Sequence, residues 1–130
     1  MKILLDTQCW LWMLAEPDRL AESARRLLGA PENELLVSAV SSWEIAIKYS
    51  IGRLPLPAEP AVLVPQWLAE SRVSSLVIEH DHALQVARLP HHHRDPFDRM
   101  LIAQAQVERL PILTADSQLA AYDVDLLLAQ

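Results

Sequence analysis

The chain reads as an α/β domain, a three-layer sandwich in which helices flank a central, mostly parallel β-sheet. Three observations predict it. Short apolar runs at Lys2–Leu5, Glu34–Val37 and Ile112–Leu113 alternate with longer segments of helical period. That alternation is the pattern of parallel strands joined by crossover helices and covered on both faces. The 130 residues are 52% hydrophobic with only 2 glycines, which supplies one real core and excludes disordered and fibrous classes. Finally, Asp6 and Asp116 fall just past two of the apolar runs. The carboxyl ends of parallel strands, where the chain switches direction, are where such sheets place their sites.

The elements follow in order. Lys2–Leu5 (KILL) is the first strand, and Gln8–Leu14 a short helix closed by Glu16-Pro17-Asp18. Leu20–Leu28 is a second helix with Gly29 at its C-terminal cap. Glu34–Val37 is the second strand, and Ser38 caps a helix that runs to about Ile51 and stops at Gly52. The alternating prolines of Leu54–Pro57 deny helix hydrogen bonds and predict an extended segment. Ala61–Val73 returns to helical period, with Pro65 expected in its first turn. Leu76–Ile78 is the third strand, His82–Leu89 a short helix and Pro90–Arg94 a loop. Pro96–Arg109 is the clearest helix, followed by strand Ile112–Leu113, a short helix at Ser117–Ala121 and a terminal strand near Val124–Leu128. No repeat or interdomain linker interrupts this, so residues 1–130 are expected to form a single domain.

Charge and composition narrow the function. A net charge of −6 argues against a passive nucleic-acid binder. It argues less against a metal nuclease, because two divalent ions would bring −6 to −2 and would meet a phosphate first. The single Cys9 makes no internal disulfide and reads as a small buried hydrophobe. Asp6 cuts the first apolar stretch too early for an export signal, and nothing approaches a membrane span. A soluble cytoplasmic protein is expected. Trp10 and Trp12 belong either to the core or to a partner surface.

The acids carry the chemistry. Asp6 is either an N-cap for the helix after it or a ligand, and Thr7 can take over the capping. Glu44 lies on a narrow polar strip with Ser41 and Lys48, between two apolar arcs of its helix (Val40, Trp43, Ile47, Ile51 and Ile45, Tyr49). Apolar walls on both sides suit a cleft lining better than a solvated face, with Lys48 orienting Glu44 or meeting phosphate. Asp95 before Pro96 reads as an N-cap. Asp98 then points along an apolar flank of Leu101, Ile102 and Ala105, where an acid needs a partner. Asp116 is a second acid at a strand end, in a segment that also suits a simple helix start. Oxygen ligands of this kind favour a hard cation. The consecutive His91, His92 and His93 lack metal-ligand spacing and are expected to rim a loop, beside Arg94 and Arg99, where they meet phosphates. His80 and His82 are expected to be ordinary polar residues.

Four segments together resemble the PIN-domain family, and within it the VapC-type toxins of type II toxin–antitoxin pairs: Leu4–Thr7 (LLDT), Ser41–Lys48 (SSWEIAIK), His93–Ala105 (HRDPFDRMLIAQA) and Leu113–Asp116 (LTAD). The resemblance extends over nearly the whole chain and implies a PIN-like sandwich. It implies that Asp6, Glu44, Asp98 and Asp116 form an acidic pocket for one or two Mg²⁺ or Mn²⁺ ions. Asp6 and Asp98 would be the primary ligands, with Glu44 and Asp116 holding metal or orienting water, and Lys48, Arg94 or Arg99 holding phosphates. The activity implied is metal-dependent hydrolysis of RNA phosphodiester bonds. The partners implied are a small cognate antitoxin, whose arginine would block the pocket, and a second copy of the chain in a homodimer. One departure is Gln8, where close relatives often carry histidine.

Two other readings compete. The same fold, catalytically silent, would serve as an RNA- or antitoxin-binding module, although all four acids are present. A phosphohydrolase using Asp6 as nucleophile would require a second aspartate where this chain has Gln8.

Overall fold

Leu4 and Leu5 lie at the centre of a five-stranded sheet because their strand is flanked on both sides. In the computed structural model, which describes Met1–Gln130, the strands are β1 (Lys2–Leu5), β2 (Glu34–Ser38), β3 (Ser74–Leu76), β4 (Ile112–Thr114) and β5 (Leu126–Leu128). They are ordered β3-β2-β1-β4-β5, and every pairing is parallel. The chain winds outward from β1 through β2 to β3, then crosses back to lay β4 on the other side of β1. The reversal between β1 and β4 opens a crevice at their carboxyl ends.

Alternation along β1 explains why KILL is apolar throughout. Ile3 and Leu5 face a core layer with Cys9, Trp10, Val37, Ile45 and Leu113. Leu4 faces the opposite layer with Val40, Leu101, Ile102 and Ile112. The layers come from α1 (Thr7–Ala15), α2 (Glu22–Gly29), α3 (Ala39–Ser50), α4 (Pro60–Glu70), α5 (His80–Gln85) and α6 (Pro96–Glu108). Trp10 is fully buried, edge-on to Trp67, so it and Trp12 are core residues. Cys9 is buried as well, and burial pushes its thiol up to about 12. No helix is long and apolar enough to cross a membrane.

Several boundaries depart from the expected ones. β3 lies at Ser74–Leu76 rather than Leu76–Ile78, since Ser74–Leu76 pair with Leu36–Ser38 and Val77 and Ile78 run on exposed. Gly29 is the last residue inside α2, and Ala30 takes the cap position. Pro65 lies beyond the first turn of α4, which tolerates the loss of one helix hydrogen bond there. Gly52 does stop α3: its φ is +76°, and Arg53 N–H donates to Lys48 O at 2.8 Å.

His82 is not the ordinary polar residue its surroundings in sequence suggest. It is 1% exposed on α5, accepting from Glu79 N–H at Nδ1 (2.9 Å) and facing Glu108 through Nε2 (2.9 Å). It also lies 3.4 Å from Gln104, whose Oε1 accepts from Ser38 Oγ, the cap of α3. A buried polar chain thereby ties α5, α6 and α3 together.

Leu5, fully buried in the central strand, provides the check on this core. Leu5→Ala is expected to lower unfolding stability by about 2–5 kcal/mol, read as a fall in the urea midpoint with an unchanged slope.

Candidate functional site

The crevice between β1 and β4 positions the first acid. Asp6 N–H donates to Leu113 O at 3.0 Å, continuing the β1–β4 ladder one residue past the strand. Asp6 occupies the N-cap position of α1 without capping it through its side chain. Its Oδ2 instead accepts from Thr114 Oγ1 at 2.7 Å, at the end of β4. Thr7 is not the cap either. It is the first residue of α1, and its hydroxyl meets that of Ser41 at 2.7 Å, fastening α1 to α3.

That bond sets α3 so that Glu44, one turn on, is nearly buried beside Asp6. The polar strip read from the sequence is present: Lys48 Nζ donates to Glu44 Oε2 at 2.5 Å, and this bond raises the Lys48 pKa. From α6, Asp95 caps the helix as expected, its Oδ1 accepting from Phe97 N–H and Asp98 N–H. Asp98, in the first turn, turns toward the same space. Asp6, Glu44, Asp95 and Asp98, with Lys48 and Arg53, line one cleft of about 280 Å³.

These carboxylates are costly where they stand. Burial, opposed by the Thr114 hydrogen bond and reinforced by Glu44, raises the Asp6 pKa. Burial, then the charges of Asp6 and Asp95, push Asp98 up to about 7. An all-carboxylate, half-dehydrated donor set with too little positive charge fits a hard divalent cation.

Asp116 reaches the group less directly. Its backbone N–H donates to Thr114 Oγ1 at 3.0 Å, and its Oδ1 accepts from Gln118 N–H at 2.9 Å, capping the 3₁₀ turn Ser117–Ala121. Its Oδ2 lies 3.3 Å from His93 Nε2, which is itself 3.2 Å from Asp98 Oδ2. His93 therefore stands between two of the acids, while His91 and His92 are exposed. Sequence reasoning treated the three histidines as one rim and missed this. The available signal was position, since only His93 immediately precedes the segment that caps α6. Arg53 on the cleft wall was also missed, because the Gly52 turn that folds it back is not a charge pattern.

Arg99 corrects an expectation. It is 9% exposed, and its guanidinium donates to the carbonyls of Val86, Leu89, Pro90 and His93 and to the Tyr122 hydroxyl. It holds the loop after α5, and both of its terminal nitrogens are committed to that contact. Arg94 is exposed beside the cap.

The sequence matches the PIN domain family over residues 3–125. The chain belongs to the PIN-domain family. This PIN domain is 32% identical to Ribonuclease VapC22 of Mycobacterium tuberculosis, over 92% of the chain and 91% of that protein. It is 40% identical to Ribonuclease VapC16 of the same organism over 68 residues, spanning about half of each (49% and 48%). Its fold superposes on a chain of the VapBC2 complex of Rickettsia felis bound to a promoter DNA fragment, with a TM-score of 0.75, 14% identity and full coverage of both chains.

Three outcomes are expected of this PIN domain. Folded Asp98 holds its proton up to pH about 7, whereas unfolded aspartate releases it near pH ~3.9. The folded state thus binds the extra proton between these values, and stability falls as pH rises through that window. Thermal melts in EDTA should show a higher Tm at pH 5.5 than at pH 8, and Asp98→Asn should stabilise the protein at pH 8 by on the order of 1–3 kcal/mol. Arg99→Met should cost about 3 kcal/mol in denaturant melts, because it strips the donors from carbonyls buried around it.

Proposed function

We propose that this PIN domain is a magnesium- or manganese-dependent endoribonuclease that hydrolyses RNA phosphodiester bonds as the toxin of a VapBC-type toxin–antitoxin pair. The observation that carries the reading is the convergence of Asp6, Glu44 and Asp98 on one cleft at the sheet's reversal point. The names of the ribonuclease relatives support the substrate class, and the VapBC complex with the same fold supports a small antitoxin as partner. The protein would act in the cytoplasm, as a homodimer when free of or bound to that antitoxin.

One or two Mg²⁺ or Mn²⁺ ions would be held by Asp6, Glu44 and Asp98, with Asp116 alongside. A bound divalent cation supplies a more acidic water and stabilises charge on the phosphodiester oxygens. The chain's own residues do the rest. Thr114 fixes the Asp6 carboxylate, and the Thr7–Ser41 bond fixes the helix that brings Glu44. Lys48 holds Glu44 in one rotamer while keeping a positive charge at the mouth of the cleft. Lys48, Arg53 and Arg94 line the approach, where cations bind the RNA backbone without reading its sequence. Leu11, Ile45 and Leu54 give the cleft apolar walls that limit water at the acids. Gln8, exposed at the cleft, offers an amide rather than the carboxylate a phosphoaspartyl mechanism would need.

Purified protein should cleave a mixed pool of single-stranded RNA in Mg²⁺ or Mn²⁺ and stop when EDTA is added. Asp6→Asn and Asp98→Asn should each lower the rate by at least roughly a hundredfold with circular dichroism unchanged, and full activity in both would remove the metal-site reading. Retention of RNA without turnover under every metal condition would instead identify a binding module. Arg94→Ala should raise KM with little change in kcat, as loss of a phosphate contact does.

A further inference from the structure

His93 places one ring nitrogen against the carboxylates of two of the acids, and its ring orientation is fixed from both ends. Asp95 N–H donates to Nδ1 at 3.1 Å. A ring nitrogen that accepts carries no proton, so the neutral ring bears its proton on Nε2. Nε2 is the atom 3.3 Å from Asp116 Oδ2 and 3.2 Å from Asp98 Oδ2. A metal ligated at Nε2 would require the proton to move to Nδ1, where it would confront the Asp95 N–H. The ring is therefore built to donate at Nε2, not to ligate there.

Its backbone is held with equal care. His93 N–H donates to the Tyr122 hydroxyl at 2.8 Å, and Arg99 binds both that hydroxyl and His93 O. The His93 side chain is 17% exposed, and its two carboxylate neighbours are 19% exposed at Asp98 and 35% at Asp116. Both Asp116 oxygens are engaged, Oδ1 by Gln118 N–H and Oδ2 by His93. Asp98 meets His93 through Oδ2, which leaves Oδ1 for a cation.

We infer that His93 is a positioning residue, whose Nε2–H, oriented by Asp116, separates Asp116 from Asp98 and sets the carboxylate oxygen that Asp98 presents to the metal. Asp116 then acts through His93, and the cation is held by Asp6, Glu44 and Asp98. The inference rests on the metal-site reading above and deepens it. Hydrogen-bond partners one step removed from a metal typically contribute about 10–100-fold to its affinity.

The test is Mn²⁺ binding by electron paramagnetic resonance, with no RNA present, joined to ¹⁵N resonance of His93 in the metal-free wild type. The nitrogen shifts should show an Nε2–H ring, and pulsed spectra of the Mn²⁺ complex should lack directly coupled histidine nitrogen. His93→Ala should weaken Mn²⁺ roughly 10–100-fold at unchanged stoichiometry. His93→Gln, whose amide reaches the Nε2 position, should recover most of that loss, and His93→Asn should not. His93→Ala combined with Asp116→Asn should cost little more than His93→Ala alone. An Nδ1–H ring, nitrogen coupled to the ion, or unchanged affinity in His93→Ala would each overturn the inference while leaving the nuclease reading intact. A wild type that binds no Mn²⁺ would overturn both. If His93→Ala fails to fold, the wild-type nitrogen spectra and His93→Gln still decide the matter.

Discussion

Asp6, Glu44 and Asp98, with the capping Asp95 beside them, share one partly dehydrated cleft, and the rest of the domain is arranged to keep them there. Burial adds the largest part of the cost of ionising Asp6 and Asp98, and the charge of Glu44 adds to it at both. Left alone, side chains in that position would rotate outward or take up protons. Asp6 and Glu44 each have a hydrogen-bond partner that opposes rotation, and Asp98 has a neighbour at 3.2 Å. Thr114 holds Asp6, Lys48 holds Glu44, and His93 stands against Asp98. None of these contacts neutralises the cluster as a whole, and that residual repulsion is the property that makes it receptive to a small divalent ion.

The sheet order explains how acids so far apart in sequence meet. Parallel strands point all their carboxyl ends the same way, and the reversal between β1 and β4 parts the helices above that pair. Asp6 and Asp116 arrive as the residues just past those strands. Glu44 and Asp98 arrive on helices whose starts are fixed by caps, Ser38 for α3 and Asp95 for α6. Capping therefore does more than stabilise the helices. A shift of one residue in either helix start would rotate its acid by about 100° and point it away from the cleft.

Much of this was legible in the sequence because it rests on local rules. KILL followed by an acid, an Asp-Pro cap ahead of a long helix, and a glycine ending α3 each have one structural meaning. The helical period likewise isolated Glu44 and Lys48 on a strip between apolar arcs. What escaped was decided by tertiary contacts. Arg99 has the look of a surface cation beside a phosphate site, yet carbonyls from a loop that only folding brings near engage its terminal nitrogens. His82 looks polar and is core, because Gln104 and Glu108 come round from α6 to meet it. β3 slid by two residues since an edge strand is set by its partner's register and not by its own apolar run. His93 could not be distinguished from its two neighbours without knowing that Asp116 lies across the loop.

The charge of the chain and the charge of its task are at odds only on average. At −6 the whole domain repels a polyanion. Around the cleft, however, Lys48 and Arg53 stand on the wall and Arg94 is exposed next to the capping Asp95, so under the proposed reading these are the cations a phosphate would meet. The acids sit deeper and face each other rather than the solvent. A cation bound among them would invert the local field and leave the rim cations unopposed. A single ion would then both relieve the strain of the folded state and create the attraction for substrate. Under the proposed reading, stability and function would be coupled through one electrostatic defect, and the acids that burden the metal-free protein would be those that hold the ion.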